Sequence, residues 1–206
     1  RAYYATAFPG ATIMSNKEGY PTNAVFAFAN IINNIINQLK EDESIMVAFD
    51  TDRKTFRTEI YQDYKANRSS VPEDLIKQFP LARTLLDALG IYRYELKGYE
   101  ADDIIGTVSR LASKENYETI IYTSDRDYLQ LADDNTTINI LKKGLSDIMV
   151  MTPSSIEETF GFKPLQIIDY KGLRGDPSDN LPGIPGIGDK TAVKLINEYG
   201  TLENII

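Results

Sequence analysis

Three times in this chain a short β-favouring run ends in, or runs into, carboxylates. Residues 44–49 end in Asp50, residues 91–96 lead into Gly98-Tyr99-Glu100-Ala101-Asp102-Asp103, and residues 119–123 end in Ser124-Asp125-Arg126-Asp127. Helical periodicity alternates with these runs. Val25, Phe26, Phe28, Ala29, Ile32, Ile35, Ile36 and Leu39 predict a core helix over 23–40 capped by Thr22. Pro72 and two acids open a helix that Gly90 ends, and a further helix follows Asp103 through about Ser113. Strands alternating with helices define an α/β fold with a mainly parallel sheet flanked by helices, because parallel neighbours need a crossover connection. In such sheets ligand chemistry gathers at the carboxyl ends of the strands, where these acids fall.

Residues 138–141 and 148–151, separated by Lys142-Lys143-Gly144, read as a hairpin added to the sheet. After Thr152-Pro153 the pattern turns helical in short pieces, over 153–160 and 164–173. The glycine-rich hairpin Gly183-Ile184-Pro185-Gly186-Ile187-Gly188 then leads into a helix over 190–199. The expected division is therefore an α/β domain over 1–151 and a helical subdomain over 152–206.

The chain has no Cys and no His. That excludes disulfides, thiolate zinc sites, cysteine nucleophiles, Ser-His-Asp triads and imidazole acid-base chemistry. Catalysis is left to carboxylates, Lys, Tyr, Ser or a metal. No apolar run approaches the roughly 20 residues that cross a bilayer and no signal pattern opens the chain, so no membrane partner and a cytoplasmic location are expected. A net charge of −8 ordinarily argues against nucleic acid. It does so less if the acids at strand ends and loops are gathered around cations, which leaves a nearly neutral surface.

Those acids are Asp50, Glu100, Asp102, Asp103, Asp125, Asp127, Asp176 and Asp179. Taken singly, Asp50 is equally a cap or turn residue, and each Asp-x-Asp or Asp-Asp pair reads better as a cap or turn. Their recurrence in separate segments favours a metal site, and hard oxygen donors without His or Cys select Mg²⁺ or Mn²⁺, with enough carboxylates for two ions about 4 Å apart. Glu100 and Asp103 lie one helical turn apart and can face one point, while Asp102 faces another; Asp125 and Asp127 share a side if that link is extended.

From residue 52 to 68 cations and rings interleave, with Arg53, Lys54, Arg57, Lys65 and Arg68 among Phe56, Tyr61 and Tyr64. Such a mixture suits a nucleic acid strand, although composition alone favours a solvated connector. The glycine hairpin offers backbone amides and a helix N-terminus to a phosphate, with Lys190 and Lys194 on the same helix, and is otherwise a simple helix-helix turn.

Taken together and in order, Gly98-Tyr99-Glu100-Ala101-Asp102-Asp103, Thr123-Ser124-Asp125-Arg126-Asp127, Gly175-Asp176-Pro177-Ser178-Asp179-Asn180-Leu181-Pro182-Gly183 and Gly186-Ile187-Gly188 resemble the 5′-nuclease, or flap endonuclease, family. The motifs are most similar to the 5′→3′ exonuclease domain fused to bacterial DNA polymerase I. The resemblance implies a 5′-nuclease (PIN-like) fold with a helical arch over about 52–70 and a C-terminal helix-hairpin-helix. It implies cleavage of 5′ flaps, of 5′ ends at nicks and of RNA primers with two divalent ions, in replication and repair.

By the same resemblance Asp50, Glu100 and Asp102 match one metal group and Asp125, Asp127 and Asp179 the other, with Asp103 and Asp176 as accessory acids. Lys65 matches a contact to the scissile phosphate, and Arg57, Arg68 and Arg1 match further phosphate contacts. Tyr64 belongs to the arch, and Gly183, Gly186, Gly188, Lys190 and Lys194 to a duplex grip that commonly holds K⁺. A monomer is expected, with a fused or separate polymerase as partner. In the family a strand ending in Asp-Gly precedes the segment matching Arg1-Ala2, and further helices follow the segment matching Ile206. The resemblance therefore makes this chain a fragment of an active enzyme; the alternative is a flap- or junction-binding factor without activity.

Overall fold

A computed structural model describes residues 14–51, 54–142 and 147–206; Arg1, Arg53 and the Lys143-Gly144 part of the expected hairpin turn lie outside them. The described elements fall into two compact units.

The first unit contains α1 (Asn23–Ile36), β1 (Met46–Ala48), α3 (Glu73–Ile76), α4 (Gln78–Ala88) and β2 (Tyr92–Tyr94). β1 and β2 pair in parallel with Met46 opposite Tyr92. Ile32, Leu86 and Ile91 form its core, with Phe28, Ile36, Ile45, Val47 and Phe49 packed against them. Ile32 and Ile35 of α1 bury as expected, but Phe26 is 51% exposed, the helix ends at Ile36 short of the expected 40, and it starts differently. Thr22 makes no side-chain cap bond. The side-chain oxygen of Gln78 instead accepts from the N–H groups of Ala24 and Val25 at 2.8 and 3.2 Å, supplying from another helix what an N-cap supplies locally. The single helix expected between Pro72 and Gly90 is divided at Lys77 into α3 and α4.

The second unit holds α2 (Phe56–Ile60), α5 (Ala101–Lys114), β3 (Thr119–Thr123), β4 (Thr136–Leu141) and β5 (Ile148–Met151). After them come α6 (Pro153–Phe160), α7 (Ile167–Arg174), the two-residue strands β6 (Gly175–Asp176) and β7 (Leu181–Pro182), and α8 (Asp189–Tyr199). β3 and β4 are parallel, while β4 and β5 are antiparallel with Ile138 opposite Met151, the pairing expected of the added hairpin. The fold is α/β as the alternation predicts, with its described strands spread over small sheets flanked by helices. Ile138, Ile156, Leu173, Ala192 and Ile196 are all 0% exposed in one core, so β4, α6, α7 and α8 share a single apolar interior. The Thr152-Pro153 start of α6 and its left-handed end at Gly161 follow the sequence signals. No helix among the described residues is long and apolar enough to cross a membrane.

Candidate active site

All the described acids named above lie in the second unit. α5 begins at the acidic stretch, and its three carboxylates separate as the chain enters the helix. Asp103 accepts from the Glu100 N–H at 2.9 Å, closing the start of α5, and takes both terminal nitrogens of Arg57 at 2.8 and 2.7 Å. The Arg57 guanidinium holds the Asp103 carboxyl below the usual carboxylate range. Asp102 accepts the Tyr128 hydroxyl at 2.6 Å. Burial raises the Asp102 carboxyl above its ordinary value, the Tyr128 hydroxyl opposes this, and nearby Asp125 adds to it. Glu100 receives Lys65 Nζ at 2.9 Å on each oxygen and lies 3.8 Å from Arg57, so Glu100 and Asp103 meet around one guanidinium. Asp50 accepts from the Ala101 N–H at 2.8 Å, which places its carboxylate at the N-terminus of α5.

A second group forms after β3 and α7. Asp125 accepts from the Asp127 N–H at 3.0 Å and caps a short 3₁₀ turn, Arg126–Leu131. One oxygen each of Asp127, Asp176 and Asp179 lies within 4.8 Å of the others. Asp176 and Asp179 are 6% and 8% exposed and share one loop, which brings them to Asp127 from a segment far away in sequence. Lys171 makes this closeness tolerable, contacting Asp127 and reaching Asp176 Oδ2 at 2.6 Å. Burial works against the charged form of Asp176, but hydrogen bonds from Lys171 and Ser178 outweigh it and hold the carboxyl at about 2. For Asp127 burial prevails, with repulsion from Asp125, and the carboxyl is pushed up despite Lys171.

The segment that follows α2 closes over these acids. Lys65 adopts a left-handed backbone, φ 55°, and its N–H donates to the Asp179 carbonyl at 2.9 Å. Arg68 reaches Asp179 Oδ1 at 2.5 Å, and Asn67 and Asn180 tie the segment to the Pro177–Asn180 loop through backbone carbonyls. Tyr64 is buried, its hydroxyl 3.1 Å from Glu100 and 3.2 Å from Asp179; burial and these two charges push its hydroxyl pKa up strongly. A cleft of about 1250 Å³ opens here, lined by Arg57, Tyr64, Glu100, Asp127, Lys171 and Asp179 among others.

Lys190 and Lys194 are exposed on α8 and do not line that cleft. The glycines of the hairpin divide by role. Gly186, φ +87°, makes the turn, and Gly183 packs directly against Gly175 at the end of α7. Sequence reasoning missed Lys171 and Tyr128, and gave Ser178 and Gly175 no role beyond their place in a motif. Lys171 sits in the last turn of α7, where a cation reads simply as a complement to the helix dipole.

Carboxylates from several chain segments, oxygen donors without nitrogen or sulfur, and cations on a cleft-side segment make a site of the class that takes hard divalent cations beside an anionic group. The chain belongs to the 5′-3′ exonuclease family: the model of its N-terminal resolvase-like domain matches residues 1–161 and that of its C-terminal SAM fold matches residues 162–206. DNA polymerase I of Bacillus caldotenax is 48% identical over 200 residues, 97% of this chain and 23% of the relative. DNA polymerase I of Bacillus subtilis (strain 168) is 44% identical over 200 residues, again 97% of this chain and 23% of the relative. The chain thus spans less than a quarter of the length of these curated relatives. Among solved structures, T5 5′-exonuclease with bound divalent metal ions (zinc) superposes with a TM-score of 0.74 at 22% identity, over 87% of this chain and 69% of that one. A bacteriophage T5 flap endonuclease in a pseudo-enzyme-product complex with DNA and metal ions gives 0.73 at 21% identity, with the same 87% and 69% covered. At these identities the likeness is one of fold.

Proposed function

We propose that this chain is a structure-specific 5′→3′ exonuclease and flap endonuclease domain that hydrolyses phosphodiesters of DNA, and of RNA primers, in replication and repair. The observation that carries this reading is the convergence of Asp127, Asp176 and Asp179 on one point beside Lys65 and Arg68. An all-carboxylate donor set of this kind fits a hard divalent cation such as Mg²⁺ or Mn²⁺. Asp127, Asp176 and Asp179, with Asp125, would hold one ion, and Asp50, Glu100 and Asp102 a second, with Asp103 in support. When bound, such ions polarise a phosphoryl oxygen and lower the pKa of water.

The chain's own groups do the rest. Lys65, Arg57 and Arg68 exchange their carboxylate partners for the phosphate and offset its developing charge, while Tyr64 and Tyr128 hold Glu100, Asp179 and Asp102 in orientation. Arg1 adds a phosphate contact. Gly186 and Gly188, open on their Cβ side, would let the hairpin backbone approach duplex DNA while Gly183 anchors the hairpin to Gly175; the hairpin carbonyls would hold K⁺, and Lys190 and Lys194 would pair with phosphates. The division into a catalytic domain over 1–151, with its arch over about 52–70, and a DNA-gripping subdomain over 152–206 is part of this proposal. So are monomeric action, a cytoplasmic, nucleoid location and a polymerase partner.

The test is incubation with a 5′-labelled flap oligonucleotide and Mg²⁺. Cleavage near the junction that a chelator abolishes is the expected result. Binding without cleavage would favour a DNA-binding factor without activity, and neither binding nor cleavage would sink both readings. A further expectation concerns the duplex grip. Lys190→Ala and Lys194→Ala should weaken duplex binding equally for all sequences, each reducing the slope of log affinity against log salt by roughly 0.9, readable by fluorescence anisotropy at several salt concentrations.

A further inference from the structure

We infer that Lys171 is a resident cation of the acid cluster, which keeps Asp127 and Asp176 together when no divalent ion is bound and has to leave them before they can take one. The inference rests on the reading of these acids as ion ligands.

Three observations lead to it. Lys171 Nζ contacts Asp127 and lies 2.6 Å from Asp176, so one ammonium is shared by two of the three clustered acids. Its side chain is 27% exposed and Asp176's is 8%, so the contact is partly shielded from water and from salt. Lys65, Arg57 and Arg68 also pair with acids, but with Glu100, Asp103 and Asp179; among the described pairings only Lys171 joins Asp127 to Asp176.

The physical consequence is a competition. Clustered carboxylates repel one another, and burying them without a counter-charge is strongly unfavourable. An ammonium placed between two of them removes much of that penalty and fixes their separation. It also uses the oxygen lone pairs that a divalent ion needs. Lys171 therefore preorganises the cluster and at the same time lowers its ion affinity. Once released, its ammonium stands at the edge of the cleft, where a phosphate can take it.

The experiment titrates Mn²⁺ alone into the full chain and into Lys171→Met, following heat and thermal melting. The variant should bind Mn²⁺ roughly tenfold more tightly. It should also melt lower than the parent in ion-free buffer, with the gap closing as Mn²⁺ saturates. Unchanged or weaker binding by a folded variant overturns the inference, whereas no binding by either protein overturns the ion-site reading with it. If Lys171→Met does not fold, amine acetylation of the parent followed by mass spectrometry decides. Labelling of Lys171 should rise several-fold when Ca²⁺ is added, and constant labelling across a Ca²⁺ titration that does register binding rejects the displacement.

Discussion

Asp179→Asn is expected to lower the rate of flap cleavage roughly 10²–10³-fold, the loss typical when one preorganised charge-stabilising group is removed. Asp179 sits where the two parts of the site meet. It belongs to the close group with Asp127 and Asp176, takes Arg68 at 2.5 Å, and accepts the Tyr64 hydroxyl at 3.2 Å. Asn has the same size and its carbonyl oxygen still accepts from Arg68, so shape and the ties of the Pro177–Asn180 loop persist. The negative charge does not. The effect should fall on kcat rather than KM, because the proposed DNA grip lies on other groups. Melting temperature should stay close to the parent's, since one of three mutually repelling acids is neutralised while one ion pair is weakened. Single-turnover cleavage together with a thermal melt checks both halves. A rate within a few-fold of the parent's would remove Asp179 from the reaction.

Gly183→Ala should destabilise the second unit by about 3 kcal/mol, the upper end of the usual cost of overpacking. A Cβ at this position would lie 2.1 Å from the Arg174 carbonyl carbon and 2.4 Å from the Gly175 nitrogen, both of them backbone atoms that cannot swing aside. Gly175 has the reciprocal constraint, with φ +83° and a built Cβ 2.4 Å from the Gly183 nitrogen. The chain must separate here to admit a methyl group, and Asp176 is the next residue. A fall in melting temperature of roughly 6–12 °C follows for a chain of this size, and Mn²⁺ affinity should fall with it. Gly188→Ala is the control. Nothing lies within 4 Å of its Cβ, so its melting temperature should move by no more than a fraction of that.

Much of this was legible in local sequence. Residues 119–123 form a strand with the expected limits, and α6 starts at Pro153 and ends before Gly161 because capping and left-handed glycine are short-range signals. The acids could be picked out because carboxylates at strand ends are conspicuous. Their partners could not. Gln78 caps a helix that begins 55 residues earlier, Arg57 chooses Asp103, and the Lys65 N–H meets the Asp179 carbonyl only after the chain has folded. Periodicity reports which face is buried and is silent about which charge sits opposite which. For the same reason Lys171 read as an ordinary cation at a helix end, and Glu100 and Asp103 as neighbours at one point, when a single arginine stands between them.

α7 is only 8 residues long, yet it is attached at both functional ends. Its Lys171 holds the acids, while Tyr170 donates to Asp189 at 2.8 Å and Arg174 also pairs with Asp189, the first residue of α8. A helix of this length is stiff, and the tight Gly175–Gly183 contact leaves little play at its end. One short helix therefore ties the first residue of α8 and the carboxylates Asp127 and Asp176 to the same stretch of backbone.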